Sequence, residues 1–442
     1  MVTPLSRRTL VTSAATASAV GASAIALGAK PSSVFAAPAF LQGAKVEVKY
    51  WTSFTSGVYG DAQNALIANF MAANPDITIT PTSQSDYGAI AAALIAALQT
   101  GDEPHLAILS DNFWFRFYLA QALADIKPLL AELKVDTDDF IQPLYTEFGR
   151  NDAQYMVPFA RSTPLFYYNA DALKASGLDE SIFETWSGFA ESASKLAVDT
   201  IQYGLGLAGG HPTSAWMMQG PMWAFGGAYS TDTFDITLNQ PEGVATGEFF
   251  QKLVQNKVAG ATADPAGDFQ KGTTASTIAS TGAINFIKEG AKFTVAAAAL
   301  PKEKQIGCPT GGAGLAILES APDDVKLAAA KFIDFCTNTE NAATWAQATG
   351  YMPVRTSSIE SDSMQAFLKA NPLYEVAIKQ LPNAHHPDSA MNFFPNGSSL
   401  LTAGWDQVFV KDAAVQDAFD QTAADLEDDK KDVEDQLKSI EG

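Results

Sequence analysis

The sequence predicts an α/β protein of two lobes joined by extended crossings. Strand-like and helix-like segments alternate through the first part of the chain, which points to a sheet flanked by helices. At 442 residues the chain is long enough for two full cores. Pro158 and Pro164 bracket the short segment Phe159 to Thr163, holding it extended as a passage between lobes requires.

The alternation runs in order from Val46. Val46 to Tyr50 alternates apolar and polar residues as a strand does, and it breaks into a loop over Trp51 to Gly57. Ala65, Leu66, Ile67, Phe70 and Met71 form one helical stripe that Asn74-Pro75 ends. Ile77 and Ile79 mark a second strand, Tyr87 to Leu98 a helix closed by Gly101, and His105 to Leu109 a third strand running into Ser110-Asp111-Asn112. In sheets of this kind ligands bind beyond the carboxyl ends of the strands, so the loops at Thr52 to Ser56 and Ser110 to Asn112 are candidates.

The central stretch from Asp152 to Ala190 organises the rest. Leu165, Phe166, Tyr167 and Tyr168 make a strand, Asp171 opens a short helix that stops at Gly177, and Thr185 caps a helix through Trp186, Phe189, Ala193 and Leu196. Further on, Phe293 to Leu300 reads as a strand, and Asp323 to Cys336 and Glu340 to Ala348 as helices, the second capped by Thr339 or Asn341. Ala413 to Leu437 is helical with Val415, Phe419 and Leu426 inward, and Glu427 to Lys431 is read as a solvated face. The glycine-dense Thr310 to Gly314 and the turn Thr349 to Pro353 are two more crossing candidates.

Composition is that of a globular protein, with 47% hydrophobic and 17% charged residues. The formal net charge is −21. The first 36 residues hold Arg7, Arg8 and Lys30 but no acid, so the remainder is more acidic still, which excludes nucleic acid and anionic lipid as partners. Ser6-Arg7-Arg8-Thr9-Leu10-Val11 has the twin-arginine pattern, an uncharged Ala/Ser-rich run follows, and Val34-Phe35-Ala36 offers a cleavage site. Residues 1–39 are therefore expected to be an export leader, and the protein to act in the periplasm or outside the cell. Cys308 and Cys336 are expected to be two separate buried thiols.

Catalytic motifs are absent: the chain has no GxSxG elbow, P-loop, HExxH or CxxC. Gly204 to Gly209 matches the dinucleotide fingerprint in form only, because Gly210-His211-Pro212 stands where its helix would open. His105, His211, His385 and His386 lack metal-ligand spacing, so no metal or cofactor is expected. Aromatic residues and small hydroxyl donors in loops stand out instead. Trp51, Phe54, Tyr87, Trp186, Trp216, Trp223, Tyr351, Phe393 and Phe394 could stack on a sugar or polyol, with Asp111, Ser162 and Ser280 bonding its hydroxyls. For any single tryptophan, core packing is the competing explanation.

PFARSTPLFYYNADALKASGLD with TW downstream resembles the central signature of extracellular solute-binding proteins of carbohydrate ABC importers, nearest the glycerol-3-phosphate-binding branch. ANFMAANPDITI, TIASTG, GGAGLAI and AKFIDFCTNTENAATWAQATGYMPV extend the likeness over nearly the whole mature chain. The resemblance implies a two-lobed periplasmic-binding-protein fold of type II with three interdomain crossings, near Phe159, Gly312 and Pro353. Residues 44–157 and 313–352 would form the N-terminal lobe, and 158–312 and 353–442 the C-terminal lobe.

By motif the resemblance places ligand contacts at Tyr87, Asp111, Ser162, Ser280, Gly312 and Tyr351. Asp111 stands where that branch has a glutamate, and its phosphate-binding arginine falls near Ser398, where this chain has no arginine. Arg161, in the crossing itself, could take over an anionic group by a bidentate contact or pair with an acid. Trp186 and Trp223 complete the expected site as stacking residues. The function implied is a monomeric binding protein that captures a small hydroxylated solute, a sugar or polyol, by hinge closure and delivers it to an ABC permease. Glycerol-3-phosphate or a glycerophosphodiester is the alternative ligand, and a secreted carbohydrate-active enzyme the alternative class. A chemoreceptor partner would share the same fold.

Overall fold

A computed structural model describes residues 45–442; the expected leader lies outside the described residues. Two five-stranded sheets carry the two lobes. The first runs Ile77–Ser83, Val46–Thr52, Leu106–Ser110, Gly311–Ile317, Val157–Ser162, with the first three strands parallel and the last two antiparallel to their neighbours. The second runs Val295–Ala298, Pro164–Asn169, Ser276–Ser280, Leu205–Ala208, Ala259–Thr262. This is the α/β, two-lobed arrangement that the alternating pattern predicts.

In the first lobe the expected stripe is inward on the helix Gly57–Ala73, where Leu66, Ile67 and Phe70 are buried. Tyr87–Thr100 ends at Gly101, whose φ of 73° suits a residue without a Cβ. Thr339–Thr349 is capped by Asn338, whose side chain accepts from the Asn341 N–H at 2.9 Å. The cap thus lies one residue before the first expected position, Thr339, and three before the other, Asn341. Trp51 and Thr52 stay in the first strand instead of opening the loop.

In the second lobe Thr185 caps Trp186–Ser192 as expected, accepting from the Gly188 N–H at 3.0 Å. Trp186 is fully buried among Phe166, Phe189 and Phe250. The aromatic stretch after His211 forms a helix, Ser214–Ala224, buried over almost its whole length. The terminal helix Val415–Glu441 buries Val415, Phe419, Leu426, Val433 and Leu437. Glu427, Asp428 and Lys431 are exposed, but Asp429 accepts from Asn396 and Lys430 pairs with Asp235, so the charged run is only partly a solvated face. Cys308 and Cys336 are free and buried, and burial pushes the Cys308 thiol up to about 12. Among the described residues no helix is long and apolar enough to cross a membrane.

The three expected crossing segments lie side by side. Arg161 faces Gly312 in the strand register, and the Met352 N–H donates to the Arg161 carbonyl at 2.8 Å. Gly312 has φ of 101°, and a Cβ there would stand 2.1 Å from the Ala160 carbonyl oxygen, so only glycine permits the strands to meet. The change of sheet comes at Thr163: Pro158 sits at a bulge opposite Gly314 and the strand continues to Ser162. Beyond Pro353 the chain still bonds to residues that precede it on the first sheet's side. Arg355 pairs with Asp139, and Ser358 donates to the Thr339 carbonyl, keeping this segment on the first lobe. Pro372–Gln380 is the helix that reaches the second lobe, where Gln380 donates to Thr163 and Pro164.

Trp186→Ala should lower unfolding free energy by about 3–5 kcal/mol, because it empties a large core volume. A urea titration checks this, and the variant that still folds should bind solute as the parent does.

The interlobe cleft as candidate functional site

The ends of the strands Leu106–Ser110, Val157–Ser162 and Ser276–Ser280 open onto one cleft of about 300 Å³. That volume lies at the small end of ligand sites, about 300–1,000 Å³. Tyr87, Asp111, Ser162, Ser280, Gly312 and Tyr351 all line it. Trp216, His211, Asn112, Asn392 and Ser398 line it too. Of the two loops expected at strand ends, Ser110 to Asn112 reaches the cleft and Thr52 to Ser56 does not.

The first lobe's wall is aromatic. Phe159 stacks on Trp345 at 4.5 Å, and Trp345 lies nearly parallel to Tyr351, 6.2 Å between centroids and 8° between planes. The hydroxyls of Tyr351 and Tyr87 meet at 3.3 Å. Phe54 packs between Tyr87 and Tyr351, so it backs the wall without lining it. Burial raises both phenols above their ordinary range, so both remain neutral hydrogen-bonding groups at neutral pH. From the second lobe Trp216 enters with its indole N–H bonded to the Thr310 carbonyl at 2.7 Å. Such flat, neutral surfaces stack well on the apolar faces of sugars and polyols.

Asp111 supplies the charge. Its Oδ1 accepts from Ser110 Oγ and from the Asn112 N–H, both at 3.0 Å. Its Oδ2 lies 3.5 Å from Arg161 Nη1 without a hydrogen bond. Burial pushes the carboxyl up to about 7, against the pull of Arg161 and with the further push of Glu147. His211 lines the cleft with its basicity lowered by burial, and its Nδ1 accepts from the Thr213 N–H at 3.2 Å. The imidazole is therefore a neutral group at pH 7.

Arg161 does not line the cleft. Its guanidinium is fully buried, bonded to Glu147 and 3.5 Å from Asp111, with its carbon 4.9 Å from the Phe148 ring centroid. Of the two roles the sequence allowed, the structure places it in the ion pair. Trp186 lies in the second lobe's core, away from the cleft. Trp223 is also away from it, its indole N–H bonded to the half-buried Asp388 at 2.9 Å. Asp388 takes two further donors, Gln219 and the Tyr229 N–H, so Trp223 belongs to a structural knot. Phe393 stacks on Phe115 at 4.5 Å. Trp51, Phe393 and Phe394 are likewise outside the cleft.

Sequence reasoning passed over His211 and Asn392 as ligand residues, and no local motif marks them, whereas Asn112 ends the Ser110 to Asn112 loop that it did put forward. Ser398, near which the resemblance places the branch's arginine, does line the cleft. Among the described residues no lysine or arginine lines the cleft, and no group of three or more His, Cys, Asp or Glu could hold a metal.

Two outcomes follow from this geometry. Ser162→Ala should weaken solute binding about fivefold to tenfold, the loss of one hydrogen bond, and leave the melting temperature within about 2 °C. Calorimetric titration with a parallel thermal scan measures both. Binding through Asp111 should also weaken as pH falls from about 8 to about 6, because an ionised carboxylate accepts hydrogen bonds more strongly. The same group acts oppositely on stability. Its folded value lies above the ordinary 3.8, so its stabilising contribution is complete below about 4 and is lost as pH rises through about 7. Asp111→Asn should flatten both profiles.

Known proteins share this chain's sequence signature and fold. The profile of the bacterial extracellular solute-binding protein family matches residues 65–376. The sn-glycerol-3-phosphate-binding periplasmic protein UgpB of Escherichia coli O6:K15:H31 (strain 536 / UPEC) is 30% identical over 357 residues, covering 76% of this chain and 80% of its own. UgpB from Mycobacterium tuberculosis, solved in complex with glycerophosphocholine, is 36% identical with a TM-score of 0.82, covering 87% of this chain and 98% of that one. The GacH receptor of Streptomyces glaucescens, at 19% identity and a TM-score of 0.76 over 88% of this chain and 99% of its own, shares the fold. On the profile match and these relatives together, the chain belongs to the bacterial extracellular solute-binding protein family.

Proposed function

We propose that the protein captures a small hydroxylated solute without net negative charge, a neutral sugar or polyol, by closing its two lobes, and hands it to an ABC permease. The observation that carries this reading is the absence of a cation from the cleft lining, together with Arg161 committed to Glu147 and Asp111. A dianion would have to enter beside Asp111 with no partner for its charge, at a cost that low-dielectric surroundings enlarge. A solute hydroxyl gives a hydrogen bond to Asp111, while the tyrosines and Trp216 take the carbon skeleton. Contacts from both lobes favour the closed state, and the permease distinguishes closed from open by the surface they present together. The twin-arginine pattern supports export, with periplasm or outer cell surface as the place of action.

A second reading has one specific support. The 36% identical UgpB of Mycobacterium tuberculosis was solved with glycerophosphocholine, a phosphodiester whose single negative charge is balanced by its own ammonium group. Its glycerol hydroxyls would serve Asp111 in the same way. Both readings separate from glycerol-3-phosphate, which carries an unbalanced phosphomonoester.

A thermal-shift screen of the mature chain distinguishes them, since a ligand at 100 times its dissociation constant stabilises by about 2.7 kcal/mol. Maltose or another neutral sugar or polyol should raise the melting temperature under the first reading, and glycerophosphocholine alone under the second. A larger shift with glycerol-3-phosphate than with all of these would overturn both. Recovery of a chemically altered sugar after incubation would instead mark a carbohydrate-active enzyme.

A further inference from the structure

Glu147 lies outside the cleft and is buried, yet it bonds to Asn392, which lines the cleft, and to Arg161, which stands behind it. Its Oε2 accepts from Arg161 Nη2 and from Thr310 Oγ at 3.0 Å, and its Oε1 accepts from Asn392 Nδ2 at 3.0 Å. A carboxylate can only accept, so Asn392 must turn its nitrogen to Glu147 and its carbonyl oxygen away. That oxygen is buried and has no hydrogen-bond partner among the described residues, and Asn392 lines the cleft. On the other lobe Asp111 Oδ2 also takes no hydrogen bond, although Arg161 Nη1 stands 3.5 Å from it. Two buried acceptors from opposite lobes therefore wait for donors, and buried polar atoms of this kind call for a partner.

We propose that Glu147 is the specificity-determining residue of the site: by holding Arg161 and orienting Asn392 it makes the cleft an acceptor of hydroxyl donors and excludes phosphomonoester dianions. The proposal rests on the reading of the cleft as a site for solutes without net negative charge. Glu147 is a positioning residue, acting through Arg161 and Asn392 without touching the solute.

Glu147→Gln tests it with little change of shape. The variant loses one negative charge behind the cleft, and the Gln amide nitrogen, facing Asn392, turns the Asn392 N–H2 group inward as a donor. Titrations use sn-glycerol-3-phosphate, glycerophosphocholine and maltose as probes. The affinity for glycerol-3-phosphate relative to whichever other probe binds should rise at least about tenfold over the parent, as removal of a nearby charge predicts. An unchanged ratio overturns the proposal, even if both affinities fall together, since that is what a merely structural role would give. Asn392→Ala guards against a Glu147→Gln chain that fails to fold. It should weaken glycerophosphocholine or maltose about tenfold, and unaltered affinity there also overturns the proposal. A parent protein that prefers glycerol-3-phosphate to both other probes would defeat the underlying reading, a failure visible before any variant is made.

Discussion

The guanidinium of Arg161, buried where the three crossings meet, is the constraint on which the rest of the structure depends. It lies on the strand that leaves the first lobe, opposite Gly312 on the strand that returns and bonded through its backbone to Met352 on the third segment. A buried charge must be paired, and here two carboxylates of the first lobe share the task, Glu147 by a hydrogen bond and Asp111 at 3.5 Å. Removing one partner from such an arrangement typically costs about 3–5 kcal/mol, so the ion cluster fixes the crossings in place as well as setting the charge behind the cleft. Asp111 is the shared element: it closes the ion cluster on one side and lines the ligand cleft on the other.

Contacts between the lobes reach beyond the crossings. Tyr59 of the first lobe donates to the Gly282 carbonyl at the rim of the second, and Arg116 donates to the Pro395 carbonyl. On the far side Glu441, in the last turn of the terminal helix, accepts from Arg150 and from Tyr118 of the first lobe. These are single polar contacts, partly exposed, and each is worth about 1 kcal/mol or less on average. The lobes also meet where Phe393 stacks on Phe115 at 4.5 Å and Asn392 bonds to the buried Glu147 at 3.0 Å, so opening the hinge must break these contacts as well.

Much of the fold was legible because it is written in local chemistry. Gly101, Thr185 and Gly312 each mark a backbone geometry or cap that few other residues supply, and the structure uses all three as the sequence indicates. The charged run at Glu427 to Lys431 and the caps near Thr339 were less legible, because neighbouring residues of similar chemistry compete for the same role. The tryptophans show where reading stops. Trp186, Trp216 and Trp223 are alike in composition and setting, yet one fills a core, one lines the cleft and one ties down Asp388 across 165 residues of chain. The partnership of Glu147 with Asn392 spans 245 residues and has no local signal at all. Arg161 was visible as the one cation of the central crossing, and its two possible roles could be separated only by the acids that the fold brings to it.

The most direct test of this account is a crystal structure of the mature chain with a bound solute, glycerophosphocholine or a neutral sugar. The account predicts solute hydroxyls on Asp111 and on the carbonyl oxygen of Asn392, with the Arg161 guanidinium still bonded to Glu147. A guanidinium turned out of that pair and onto the solute would contradict it.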